Sequence, residues 1–249
     1  MVAIRRVPVP VDAPVPTGTT NSYVAGDALV DPAARTARLD DLVAEADVAH
    51  IVCTHTHPDH VGAVAHYAEA TDATVWAHAP HAERFERATG VAPDRMFRES
   101  ASVGPLDVVA TPGHAPDHVA FACDDAYLVG DLARADGSVA IGADGDMRAY
   151  LTSLRRLYTR DPDRLYPGHG APIDRPRERL AALLAHRRER EARVLQAVDT
   201  GAATLDEVVD AAYDADLTDV REHATATVAA HLDKLAVEGR VARAWRDAR

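Results

Sequence analysis

The segment His55-Thr56-His57-Pro58-Asp59-His60 constrains this chain more than any other feature. It places four metal-type donors within six residues, directly after Val48–Thr54, a run rich in β-branched residues that reads as a buried strand. Imidazole and carboxylate suit zinc, iron or manganese. Across an extended turn His55 and His57 point the same way. Asp59 and His60 open the next helix and face the same cavity from its other side. Four donors this close rarely fit around one ion, so the cluster favours two metal centres over one.

Three further donors stand in similar settings. His114 follows Thr111-Pro112-Gly113, Asp131 follows Gly130, and His169 lies in Pro167-Gly168-His169-Gly170, each at the end of a predicted strand. An adjacent glycine frees the backbone to turn at each position. Donors at the ends of several strands converge on one edge of a sheet. The other eight of the thirteen histidines read as ordinary core or surface residues. Among them, His118 is expected to structure the turn that follows His114.

Periodicity gives strands at Val2–Val11, Ser22–Gly26, Ala28–Asp31, Val48–Thr54, Ala73–Ala77, Leu106–Thr111, Val119–Cys123, Ala126–Val129 and Arg164–Tyr166. Helices are expected at Leu39–Ala46, Gly62–Ala70, His81–Ala88 and Asp146–Tyr158. This interleaving predicts an α/β fold with sheets packed between helices. After Ile173 the pattern turns helical, with a segment from Pro176, a helix Leu205–Tyr213 opened by Thr204, and a helix Ala224–Glu238 ended by Gly239. A short β-like stretch, Val241–Trp245, is expected to close a hairpin. That order is the order of a winged-helix module, so the domains are expected at 1–175 and 176–249.

The length, 249 residues, suits one large domain with a small appendage. No run of eighteen apolar residues exists, which argues against a membrane span. Residues Met1–Pro16 lack the apolar stretch of a secretory signal. The two cysteines, Cys53 and Cys123, cannot make a disulfide framework and read as buried thiols of a cytoplasmic protein. The net charge of −12 comes with a single lysine, Lys234, and with 28 Asp against 11 Glu. Such an Asp-rich surface keeps a protein hydrated at high salt, which points to a halophilic source. A GC-rich genome accounts equally well for the lysine shortage.

The pattern His-x-His-x-Asp-His followed by separated His, Asp and His resembles the metallo-β-lactamase superfamily over roughly residues 1–175. The resemblance implies a four-layer αββα sandwich with a dinuclear site on one edge. His55, His57 and His114 would hold one metal, Asp59, His60 and His169 the other, and Asp131 would bridge them. A metal-bridging hydroxide would then hydrolyse its substrate, with Asp59 or Asp131 accepting the proton. The segment Thr111–His118, with Gly145-Asp146-Met147, Tyr150-Leu151 and Ser153-Leu154, resembles a lactamase-like group that carries a C-terminal winged helix. His186-Arg187, Arg190-Glu191, Ala230-His231-Leu232, Leu235 and Glu238-Gly239 match that group's tail. True β-lactamases of the commonest class place a Cys in the second metal site and a Lys near the substrate. Here His169 is present and the catalytic region has no lysine, so penicillin hydrolysis is not expected. Asp31 is followed by Pro32-Ala33, where the family often has glycine. This departure affects one loop and no ligand.

The expected function is dinuclear metal-dependent hydrolysis of an ester, thioester or lactone, with two divalent ions, zinc first and iron or manganese as alternatives. A metal-dependent endoribonuclease acting on single-stranded RNA uses the same donors. Its platform would be Arg175–Arg193, which holds seven arginines against three glutamates. Helix ion pairs, such as Glu189 with Arg193 at i,i+4, together with interdomain contacts are the weightier reading of those arginines, and 5% aromatic content is low for base stacking. Two other readings are a winged-helix binding module with a vestigial metal site and a one-iron persulfide dioxygenase. The partners these readings allow are a small ester or thioester, single-stranded RNA, or a second copy of the chain, with no membrane. Ending the chain after Asp174 is expected to spare the metal site.

Overall fold

The computed structural model describes residues 2–15, 17–214, 217–218 and 220–247. Residues 1, 16, 248 and 249, which bound some of the predicted segments, lie outside the described residues.

Two sheets organise the first two thirds of the chain. The first has six strands in sequential order: β1 (Ile4–Pro10), β2 (Thr19–Ala25), β3 (Ala28–Val30), β4 (His50–Val52), β5 (Thr74–His78) and β6 (Arg95–Phe97). Antiparallel pairing from β1 to β3 gives way to parallel pairing from β3 to β6. The second sheet runs β11-β10-β9-β8-β7, with β7 (Ser102–Val103), β8 (Leu106–Ala110), β9 (Val119–Cys123), β10 (Ala126–Gly130) and β11 (Arg164–Pro167). Only the β10–β11 pair in it is parallel.

The helices are α1 (Ala37–Ala46), α2 (Pro58–Val61), α3 (Val64–Ala70), α4 (Ala82–Thr89), α5 (Met147–Arg160), α6 (Pro176–Asp199), α7 (Leu205–Ala212) and α8 (Arg221–Val237). Side-chain alternation along the strands assigns the layers. In β2 Tyr23 packs between the sheets while Val24 packs outward; in β4 Val52 lies between them and Ile51 outward. In β8 Val108 faces the inter-sheet core and Val109 the far side. Leu39, Val64 and Phe85 of α1, α3 and α4 cover the first sheet, and Tyr150, Leu154, Leu157 and Leu180 of α5 and α6 cover the second. The result is the expected order of helices, sheet, sheet and helices.

Helix α6 joins this sandwich to a second core. Its first half buries Leu180, Leu183 and Leu184 against α5, and its second half buries Val194 and Ala197 against Val208, Val209, Val228, Leu232 and Leu235 of α7 and α8. Thr204 opens α7 with a capping box closed by Glu207.

Three expectations change. Val241–Trp245 is not a strand: Arg243–Asp247 forms a 3₁₀ turn, and Trp245 N–H bonds to Ala242 O. No described strand lies beside this stretch, so its backbone groups pair locally while Val241 and Trp245 rest on the second core. Conversely, Arg95–Phe97 and Ser102–Val103 become strands without any alternation, because each lies against the edge of an established sheet. The strand expected over Val48–Thr54 pairs only at His50–Val52; beyond it Cys53 packs in the outer core and the Thr54 hydroxyl meets Asp31 and His55.

Candidate metal centre

The seven donors named from the sequence come together at one edge of the two sheets. His55 and His57 follow β4, Asp59 and His60 lie in α2, and His114, Asp131 and His169 follow β8, β10 and β11. Three overlapping sets have all their donor atoms within 4.8 Å of one another: His55, His57 and His114; Asp59, His60 and His169; and His55, His60 and Asp131. Asp131 lies between the first two sets, with Oδ2 3.5 Å from His114 Nε2 and 3.4 Å from His169 Nε2, and Oδ1 3.6 Å from His60 Nε2.

Outer hydrogen bonds fix which nitrogen of each ring faces inward. His114 Nδ1 donates to Ala140 O at 2.9 Å and His169 Nδ1 to Thr19 O at 3.0 Å. His60 Nδ1 donates to Asp31 Oδ2 at 3.0 Å. The Thr54 hydroxyl donates to Asp31 Oδ2 at 2.8 Å, so it accepts from His55 Nδ1 at 3.1 Å. All four rings therefore carry a proton on the outer nitrogen and turn Nε2 toward the centre. For His57 the order reverses: Nδ1 faces His114 Nε2 at 2.9 Å, and Nε2 lies 3.7 Å from Asp144 Oδ2. This outer-proton arrangement is the one that metal-binding histidines require.

Burial and charge shape the basicity of the donors. Burial and the neighbouring imidazoles hold His55 well below the usual histidine range. Burial pulls His60 down as well, but Asp31, Asp131 and Asp59 outweigh it and raise the ring. At His169 the Asp131 and Asp59 carboxylates overcome burial and push the ring up to about 10. Burial opposes the charge of Asp131, yet His60, His169 and His114 hold its carboxyl well below the ordinary range. Among the described residues His55 Nε2, His60 Nε2 and Asp131 Oδ1 are buried without a hydrogen-bond partner. Polar atoms are rarely left so, and three that converge with four more donors fit divalent cations.

Asp31, read from the sequence as a loop variation, organises half of this centre. It has φ +50°, and its carboxylate accepts from Thr54 N–H at 2.6 Å, the Thr54 hydroxyl and His60. Its signal was its position at a strand end, like three of the donors, but without an adjacent glycine. His118 does structure its turn: Nδ1 donates to Thr111 Oγ1 at 2.8 Å, and Nε2 accepts the Asp131 backbone N–H at 3.2 Å. Burial depresses that ring to about 3, keeping it neutral. Arg84, Asp144 and the Ala140 carbonyl carried no sequence signal, since only the fold brings them to the site. Arg84 bonds to Asp144 at 2.6 Å and to Thr56 Oγ1 at 2.8 Å. Gly168 is required by contact: a Cβ there would lie 2.6 Å from Asp131 Oδ1 and 2.6 Å from His60 Cε1.

The C-terminal helices reach the centre through the segment between β10 and α5. Arg187 of α6, 2% exposed, donates to Val139 O, and Thr227 Oγ1 of α8 accepts Ile141 N–H at 3.3 Å. Between them Ala140 O holds His114. Six of the seven arginines of α6 and its cap have partners within the chain. Arg175 pairs with Glu178, Arg177 with Asp161, and Arg193 with Glu189 and Asp214. Arg179 and Arg187 donate to backbone carbonyls, and Arg190 donates to Ala212 O and stacks on Tyr213. Ion pairing thus engages three of those six, and contacts with backbone carbonyls of other segments engage the other three.

Comparison with known proteins matches these features. Residues 15–169 match the metallo-β-lactamase superfamily model, and residues 204–248 match the β-lactamase associated winged helix domain. The chain is 27% identical over 221 residues to the atrochrysone carboxyl ACP thioesterase of Aspergillus fumigatus, covering 78% of this chain and 68% of that protein. It spans 30–51% of the length of three other curated relatives. A metallo-β-lactamase family protein of Thermus thermophilus superposes with a TM-score of 0.75 at 29% identity, covering 95% of this chain and 94% of that one. The protein TTHA1623, in a di-iron-bound form, gives 0.56 at 31% identity over 69% of this chain and 96% of its own. With the αββα layers, the donors on one sheet edge and the model match over more than half its length, this chain belongs to the metallo-β-lactamase superfamily and carries a C-terminal winged helix domain of the β-lactamase-associated type.

Proposed function

We propose that the chain is a dinuclear metal-dependent hydrolase of thioesters, with esters and lactones as chemically related substrates. The observation that carries this reading is the inward presentation of four Nε2 atoms and one Nδ1 around Asp131 and Asp59. His55, His57 and His114 would hold one divalent cation, and Asp59, His60 and His169 the other, with Asp131 between them. Zinc, iron and manganese all suit these donors. Bound there, two cations would lower the pKa of a water and polarise the substrate carbonyl. The chain's own groups do the rest. Asp31, Ala140 O and Thr19 O hold the rings in place, so no reorganisation is needed when charge develops. Asp59, also hydrogen-bonded to Thr20 Oγ1 at 3.3 Å, and Asp131 are placed to accept the proton a water gives up on adding to the carbonyl. They can return it to the departing thiolate. We assign residues 1–175 to the catalytic unit and 176–249 to the winged-helix unit.

The resemblance to an Aspergillus acyl-carrier thioesterase supports thioesters over RNA, and so does the arginine pairing along α6. The test is release of free thiol from acyl thioesters by zinc- or manganese-loaded protein, with Asp131→Asn as control and end-labelled single-stranded RNA as a parallel substrate. Thiol release that vanishes in the folded variant supports the proposal. RNA cleavage with intact thioesters would replace it with the endoribonuclease.

A further inference from the structure

A cavity of about 450 Å³ lies where α7 and α8 meet the segment between β10 and α5. Its walls are methyl and aliphatic groups: Ala143 from the segment, Leu205 from α7, and Thr225, Ala226 and Ala229 from α8. Arg221 and Glu222, both exposed, complete its lining. The volume and lining are those of a small-molecule site.

Two observations say what it takes. Ala143 is one residue from Asp144, whose carboxylate lies 3.7 Å from His57. With consecutive Cα atoms 3.8 Å apart, that wall is within about 11 Å of the His57 ring, so one flexible molecule can reach both places. The Arg221 guanidinium is paired with Asp210 at 2.8 Å and Asp206 at 3.3 Å, so the charged part of the lining is not built to receive an anionic head group. The residues lining the cavity include no aromatic side chain on which a nucleobase could stack.

We propose that this cavity seats the neutral, apolar acyl arm of a substrate whose thioester carbonyl lies at the metal centre. The protein is then selective for acyl groups long enough to reach α8, and the winged-helix unit supplies the specificity. This rests on the hydrolase reading above. Chain lengthening should raise kcat/KM by about fourfold for each methylene that enters the cavity, and the gain should stop once the cavity is filled.

The test compares native protein with Ala226→Phe, which puts a phenyl ring on the cavity wall and replaces no donor. Metal-loaded protein is assayed on a series of saturated acyl thioesters of N-acetylcysteamine, from acetyl to dodecanoyl. In parallel, calorimetry measures binding of the S-dodecyl thioether, which has no carbonyl to hydrolyse. The expected result is unchanged acetyl turnover in Ala226→Phe, with kcat/KM for the dodecanoyl substrate and affinity for the thioether both falling at least about tenfold. Turnover independent of acyl length, or a thioether affinity unaffected by Ala226→Phe, overturns the acyl-arm assignment and leaves the hydrolase intact. If no thioester is turned over, the hydrolase reading fails, and the thioether arm still decides the cavity.

Discussion

Arg187 gives the sharpest test of how the helical unit supports the metal centre. It is 2% exposed, donates to Val139 O and lies with its guanidinium 5.3 Å from the Tyr150 ring centroid, while its Nε has no hydrogen-bond partner among the described residues. In Arg187→Met the charged hydrogen bond, about 1.5–3 kcal/mol, is lost. The cation–π contact, about 0.5–2 kcal/mol, goes with it. Against these losses the variant no longer buries a guanidinium with an unsatisfied Nε, a relief of about 1–3 kcal/mol. The opposing effects leave the metal-free protein between about 1 kcal/mol more stable and about 4 kcal/mol less stable than native. Metal binding has no such compensation. Val139 is freed, Ala140 O loses its fixed position, and His114 loses the acceptor that orients its ring. Disturbing such an outer partner lowers metal affinity by about 10–100-fold. The assay is competition with a chromophoric chelator, alongside thermal unfolding of the metal-free protein, with Arg187→Lys as a partial rescue. The reasoning is refuted if Arg187→Met keeps native metal affinity, or if affinity and metal-free stability fall together with no recovery in Arg187→Lys. The same chain of contacts revises the expectation that a chain ending after Asp174 keeps its metal site. Such a chain lacks Arg179, Arg187 and Thr227, three of the anchors of the segment that holds His114.

Asp31→Asn removes the charge that faces His60 and turns an amide donor toward groups that already donate, Thr54 N–H, the Thr54 hydroxyl or His60 Nδ1. We expect a loss of about 1–3 kcal/mol in stability and weaker metal binding, read by unfolding and chelator competition; native behaviour in both would show that Asp31 is a loop residue only. Metal uptake should release protons. The folded pKa of His169 is raised to about 10, so that ring carries its proton at neutral pH and must lose it to bind. Affinity should thus rise with pH up to that value, which calorimetry in buffers of different ionisation enthalpy can count. Binding without proton exchange at neutral pH would contradict it. In the metal-free protein the sign reverses: a raised histidine stabilises the fold below its unfolded pKa near 6.5, and that contribution is lost as pH rises through about 10. The net charge of −12 predicts a higher melting temperature in molar KCl than in dilute buffer, and no gain would argue for the genomic explanation of the missing lysines.

Much of this molecule is written locally. The donor-rich turn, the three strand-end donors and the alternation of residues such as Tyr23 and Val24 depend on spacing and strand direction, which the sequence displays directly. So do the capped start of α7 at Thr204 and the stop of α8 at Gly239, where φ is +71°. Other features needed the fold. The short strands at Arg95–Phe97 and Ser102–Val103 exist because an open sheet edge lies beside them, and Val241–Trp245 stays out of a strand because it has no such edge among the described residues. The orientation of each histidine depends on partners far away in sequence, such as Thr19 for His169 and Ala140 for His114, and two of these partners are backbone carbonyls that no side-chain pattern reveals. The acyl-sized cavity likewise belongs to no segment, since its walls come from three elements brought together by packing. The sequence determined which atoms could bind metal. Tertiary structure decided which nitrogen each ring presents and what lies beside the centre, because hydrogen-bond partners and cavities are made by segments that meet only in the folded chain.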